Sequence, residues 1–183
     1  MMNERQRRHR CFIGVQFQDP FLDQLEICQK RLSGELTQPL RFTRREQFHL
    51  TLMFLGDRTD AELQSISKGL GGIRHAPLAL SCVGFDLFRP SVIYARIDGA
   101  DSLAKRVADA LAFADVNQGK DKFIGHATLA RIKAKKMDES VRNRLRTLPL
   151  FYERSTADRF CLLNSKISHL GAEYSVLESF LLG

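Results

Sequence analysis

The sequence predicts an α+β fold: a two-lobed single domain with antiparallel sheets lining a central cleft and helices packed outside. Three observations carry this. Strand-like and helix-like segments are mixed along the chain without strict alternation, which favours antiparallel sheet. Two strand-like segments, FHLTLMFLG and IGHATLARI, share a His-x-Thr pattern 77 positions apart and read as corresponding strands of two similar halves. No Pro- or Ser-rich linker divides the 183 residues, a length that suits one domain.

In chain order, residues 1–10 hold four Arg and one Glu and read as a basic tail ahead of a domain spanning 11–183. Residues 11–18 (CFIGVQFQ) are a first strand. Asp19-Pro20 caps and starts a helix, with Phe21, Leu22, Leu25, Cys28 and Leu32 on one face and Gly34 near its end. Residues 40–42 form a short strand before the first motif strand at 48–55, which Gly56 and Asp57 end. Thr59 and Glu62 make a capping box for a helix whose Leu63, Ile66 and Leu70 face the core; Gly71-Gly72 stops it. Strands at 77–88 and 91–97 meet in a hairpin at Arg89-Pro90-Ser91. Asp101 caps a helix in which Leu103, Val107, Leu111 and Ala114 repeat at helical spacing. The second motif strand covers 124–132, and a short basic helix at 138–148 is closed by Pro149. Residues 156–167 and 173–182 are the last two strands.

The composition excludes some classes. No apolar run approaches the ~20 residues of a spanning helix, and CFIGV is too short for a signal-peptide core. The four Cys form no C-x-x-C, and three lie in strand-like segments. They read as buried free thiols of a reducing cytoplasm. The net charge of +7 is uneven: residues 120–146 hold nine Lys and Arg against three Asp and Glu, around the second motif. Such a field attracts a polyanion; the alternative is a solvated helical face.

Side chains two apart in a strand share a face. His49 with Thr51, and His126 with Thr128, therefore each present an imidazole beside a hydroxyl. A Thr falls two places after a given His by chance about 4 % of the time, so two such pairs in strands are a signal. An unperturbed pKa near 6.5 lets one imidazole be neutral while the other is charged. Hydroxyls fixed beside them can stabilise charge on phosphoryl oxygens. This face can do acid–base chemistry on a phosphate with no metal or cofactor. Neither motif supplies the clustered ligands of a metal enzyme. Phosphate-loop, dinucleotide and nucleophile-elbow signatures are missing from the sequence. His9, His75 and His169 have no Thr partner and read as surface histidines, and Tyr174 reads as core or rim rather than catalytic.

The paired motifs resemble the two HxTx signatures of the 2H phosphoesterase superfamily, specifically the RNA 2′,3′-cyclic phosphodiesterases, also called 2′-5′ RNA ligases. Arg10-Cys11-Phe12-Ile13 resembles the family's opening strand, and Phe48 to Leu52 with Phe54-Leu55-Gly56 its first motif. His126 to Leu129 with Arg131 resembles the second, and Ser165 to Tyr174 the final strand pair. The resemblance implies His49 as general acid, His126 as general base, and Thr51 and Thr128 as ligands of phosphate oxygens. A near-symmetric site could exchange the acid and base labels.

The same resemblance implies metal-free hydrolysis of an RNA 2′,3′-cyclic phosphate end to a 2′-phosphomonoester, and in some members joining of such ends to a 5′-hydroxyl. Pro often precedes the second motif in that family; here Gly125 is expected to loosen the approach to the strand. Arg131 is a further substrate-binding candidate. Strict alternation puts it opposite His126 and Thr128, so it reaches a phosphate only if the strand bends near Ala130, and is otherwise a surface arginine. Two other readings stay open: a non-catalytic module of the same fold binding a nucleotide or RNA end, and a phosphodiesterase for 2′-5′-linked oligonucleotides or small cyclic nucleotides. A cleft within one chain needs no partner subunit, so a monomer is expected.

Overall fold

Two antiparallel sheets organise the chain, which a computed structural model describes over residues 8–88, 91–114, 122–133, 139–169 and 171–183. Strands β1 (Arg8–Val15), β3 (Leu50–Thr59), β8 (Arg159–Ser168) and β9 (Gly171–Leu181) form a sheet of four in the order β3-β1-β8-β9. Strands β2 (Leu40–Phe42), β4 (Leu78–Phe88), β5 (Val92–Asp98), β6 (His126–Ile132) and β7 (Arg154–Ala157) form a sheet of five in the order β2-β6-β5-β4-β7. The fold is α+β, as predicted. Helices α1 (Asp19–Glu35), α2 (Asp60–Gly71), α3 (Asp101–Ala110) and α4 (Glu139–Thr147) turn their apolar faces to one continuous core that both sheets share. A smaller cluster of Phe12, Cys161 and Leu163, with Tyr174 against it, lies apart from that core. Among the described residues no helix is long and apolar enough to cross a membrane.

Local rules set most element ends. The Thr59–Glu62 box caps α2: the Thr59 hydroxyl accepts from the Glu62 N–H and the Glu62 carboxylate from the Thr59 N–H. Differences arise where another strand or helix intervenes. β1 begins at Arg8, inside the expected tail, because Arg8–Arg10 pair with Asp57–Thr59. Gly56 does not end β3: at φ 73° it opposes Cys11 beside a bulge, and the strand runs on to Thr59. Gln18 rather than Asp19 is the N-cap of α1, and Ala100 rather than Asp101 that of α3. The stretch expected as one strand from 156 is two strands broken at Asp158, where the chain leaves the sheet of five for the sheet of four. Residues 1–7, Arg89-Pro90 of the expected hairpin, and Lys120, Lys135 and Lys136 of the basic run lie outside the described residues.

All four cysteines are free and buried. Burial pushes the thiols of Cys11 and Cys82 up to about 11 and that of Cys28, with Cys82 nearby, to about 12. Few thiolates exist at pH 8, and access is closed. The folded protein is therefore expected to leave an aromatic disulfide reagent unreacted over minutes and to release four equivalents once denatured. A fast thiol in the native protein would contradict this packing.

Candidate active site

His49 stands immediately before β3, and His126 opens β6. The neighbouring strand β5 decides which way β6 faces. It alternates without interruption, with Ile93, Ala95 and Ile97 buried in the core and Val92, Tyr94 and Arg96 on the other face. Residues directly opposite in an antiparallel pair share a face. Arg96 opposes His126, Tyr94 opposes Thr128, and Val92 opposes Arg131, so these three β6 residues point together away from the core. The count works because Leu129 is an extra residue: the register shifts between Ile93 and Tyr94, and Leu129 and Ala130 are both buried. Strict alternation fails at this bulge, and the bend on which Arg131 depended is present.

β3 repeats the device. Gly14 opposes Thr51, Ile13 opposes Met53 and Phe12 opposes Phe54, leaving Leu52 as the extra residue. A bulge therefore follows each motif threonine. Phe54, 65 % exposed, occupies in β3 the place of Arg131 in β6. The two halves match at His and Thr and differ at this position, where one carries a ring and the other a cation.

The imidazoles are held alike. His49 Nδ1 lies 2.7 Å from the carbonyl of Gln47, and His126 Nδ1 lies 2.8 Å from that of Ile124, each two residues back. Since a carbonyl only accepts, Nδ1 carries the proton and donates. Each Nε2 is left with no hydrogen-bond partner among the described residues. Rings fix each imidazole's plane. His49 sits 4.7 Å from Phe12 and 4.9 Å, edge to face, from Tyr174. His126 sits 4.7 Å from Phe88 and 5.6 Å from Tyr94.

Burial chiefly lowers the pKa of both histidines from the ordinary 6.5; the backbone bonds oppose this, and the charge of His126 lowers that of His49 further. The two sheets thus look at each other electrostatically. Burial likewise pushes the Tyr174 hydroxyl up, and Arg131, from the other sheet, pulls it down. Thr51 is buried and Thr128 half-buried beside their histidines. Among the described residues no three His, Cys, Asp or Glu side chains gather as a metal site would need.

The segment before His49 is anchored from behind. A 3-10 turn, Arg45–Gln47, supplies the Gln47 carbonyl. Arg45 binds Asp19 at 2.9 Å, Asp23 at 2.8 Å and Glu26 at 2.6 Å on α1, and these carboxylates, Asp19 first, raise its pKa. The Gln47 side chain donates to the Ala172 carbonyl of β9 at 2.5 Å. Gly125 precedes His126, and here the expectation of looseness is corrected. The Ile97 N–H donates to the Gly125 carbonyl at 2.8 Å, and a Cβ on Gly125 would stand 2.1 Å from the Ile97 carbonyl oxygen. Glycine permits a close approach to β5.

The profile of the family described as LigT like Phosphoesterase matches residues 15–94. An RNA 2′,3′-cyclic phosphodiesterase of Aquifex aeolicus (strain VF5) is 30 % identical over 167 residues, 84 % of this chain and 84 % of that protein. The chain belongs to the LigT-like phosphoesterases. Solved structures share the fold. The Thermus thermophilus protein TT0787 superposes with a TM-score of 0.78 at 25 % identity, covering 94 % of this chain and 97 % of that one. E. coli LigT complexed with 3′-AMP gives 0.76 at 20 % identity, covering 96 % and 98 %.

In this LigT-like phosphoesterase the structure brings His49, Thr51, His126, Thr128 and Arg131 onto facing sheet surfaces. His9, opposite Arg58 at the far end of β3, bonds to Asp60, and His75 bonds to Ser102. In the sequence Phe12 marks only the opening strand, Phe88 and Tyr94 carry no site signal, and Tyr174 reads as core or rim. No local pattern marks them, because each meets its imidazole only through strand pairing or sheet apposition.

Proposed function

We propose that this phosphoesterase hydrolyses RNA 2′,3′-cyclic phosphate ends to 2′-phosphomonoesters without a metal. One observation supports this above the rest: the paired imidazoles, each with Nδ1 tied to a carbonyl, Nε2 unbonded and a threonine hydroxyl on its face. His126 Nε2 takes a proton from water as the water oxygen bonds to phosphorus. The P–O3′ bond breaks, and His49 Nε2–H protonates the departing 3′ oxygen. Thr51 and Thr128 donate to the non-bridging oxygens as their charge grows, and Arg131 binds the substrate's anionic backbone. The two half-sites are nearly alike, so the reverse step uses the same groups with roles exchanged. An RNA 5′-hydroxyl in place of water yields a 2′-5′ linkage. Four free, buried thiols fit a reducing cytoplasm.

The test is turnover of a short RNA ending in a 2′,3′-cyclic phosphate, with EDTA present, and identification of the product. A 2′-phosphate supports the proposal; binding without turnover replaces it with an RNA-end binding module. The pH dependence follows from the lowered histidines. In the free protein the acid imidazole holds its proton only below the ordinary 6.5. The kcat/KM bell is therefore expected to peak below pH 6.5 and to fall as pH rises through it. An optimum near pH 8 would contradict the assignment.

A further inference from the structure

Arg41 and Arg131 stand directly opposite each other in the β2–β6 pair, so both guanidinium groups lie on the face that carries His126 and Thr128. Both residues are exposed. Among the described residues neither guanidinium has an ion-pair or hydrogen-bond partner, and the two stand face to face across the ladder. Like charges directly across a sheet, with Cβ atoms ~5 Å apart, are destabilising on their own. The arrangement calls for an anion between them.

We propose that Arg41 and Arg131 together hold the phosphodiester on the 5′ side of the terminal nucleotide, so that the site selects an RNA end over a cyclic mononucleotide. This rests on the proposed function. Thr128 and Arg131 are three residues apart, ~10 Å at most along a strand, so a guanidinium at 131 reaches a second phosphate while Thr128 keeps the first. Arg41 adds the second prong from the sheet edge. Two planar cations converging on one phosphate are the usual means of holding it by direction as well as charge.

The test compares cytidine 2′,3′-cyclic phosphate, a dinucleotide ending in the same cyclic phosphate, and that dinucleotide with a neutral methylphosphonate linkage. For the natural dinucleotide over the mononucleotide, Arg41→Ala is expected to lower the kcat/KM ratio roughly tenfold, as for loss of one charged hydrogen-bonding group. The change should lie in KM, and the log–log salt slope should shrink by about 0.7 for one phosphate contact. Wild-type protein should lose at least as much on the methylphosphonate as Arg41→Ala loses on the natural linkage, because the neutral linkage forfeits the charge contacts of both arginines, a readout that needs no variant to fold. Equilibrium binding of the same three ligands reads the inference even without turnover. Absent turnover overturns the proposed function. An unchanged preference in Arg41→Ala, or equal handling of charged and neutral linkages by wild type, overturns this inference.

Discussion

Replacing His49 or His126 by alanine is expected to lower kcat by roughly 10²–10⁴-fold, the range for losing a positioned proton carrier, with the thermal transition close to wild type. Each imidazole contributes one hydrogen bond to a backbone carbonyl and contacts with two aromatic rings, and neither belongs to the main core. The proton route needs both. With no base the water oxygen is a poor nucleophile, and with no acid the 3′ oxygen leaves as an alkoxide. The double variant should fall little below the worse single one, because groups acting in one step are not additive. Thr51→Ala and Thr128→Ala should cost ~10–1000-fold, as for one transition-state donor. Steady-state kinetics on the cyclic-phosphate RNA decides the matter: if either histidine variant retains near-full turnover, the two-imidazole mechanism is wrong.

The second large effect falls on a residue with no side chain. Gly125→Ala places a Cβ 2.1 Å from the Ile97 carbonyl oxygen, and the obstacle is backbone inside a sheet. It cannot rotate aside, so β6 must move away from β5 and stretch the Ile97 N–H bond to the Gly125 carbonyl. Overpacking of this kind costs about 1–3 kcal/mol. The chemistry suffers more, since His126 at the start of β6 and its orienting carbonyl, on Ile124, flank the substitution. A misplacement of ~1 Å costs on the order of 10²-fold in rate. Proline, the residue often expected before this motif, also brings a Cβ and should fail as badly. Gly34, late in α1, is the control: a Cβ there meets nothing within 4 Å, and Gly34→Ala should be neutral or stabilising by about 0.5–1 kcal/mol. Thermal unfolding and kcat of both variants check this. A fully active Gly125→Ala would mean that β6 tolerates displacement.

The sequence showed the site's chemistry more plainly than its geometry. His49, Thr51, His126 and Thr128 stand out because strand alternation is a local rule acting over three residues. The helix faces of α1, α2 and α3 were legible for the same reason, as was the Thr59–Glu62 cap. Arg131 was ambiguous because a bulge shifts phase without any local mark: Leu129-Ala130 reads as ordinary strand until its pairing with Ile93 and Tyr94 is known. Gly125 misled because its role lies in what Ile97 does to it. Arg41 carried no signal, as a three-residue strand at a sheet edge has meaning only beside β6.

Side-chain periodicity and capping operate between neighbours in the chain, so the element types, the two motif strands and the paired imidazole–hydroxyl faces could be read from residue order alone. Which strands lie side by side, where each ladder slips by one residue, and what the two sheets present to each other depend on contacts between residues far apart in the chain. Those contacts placed four aromatic rings around two histidines, turned Arg131 toward the cleft and set Arg41 beside it. Burial against distant strands lowered the histidine pKa values, and no local pattern of residues carries that information.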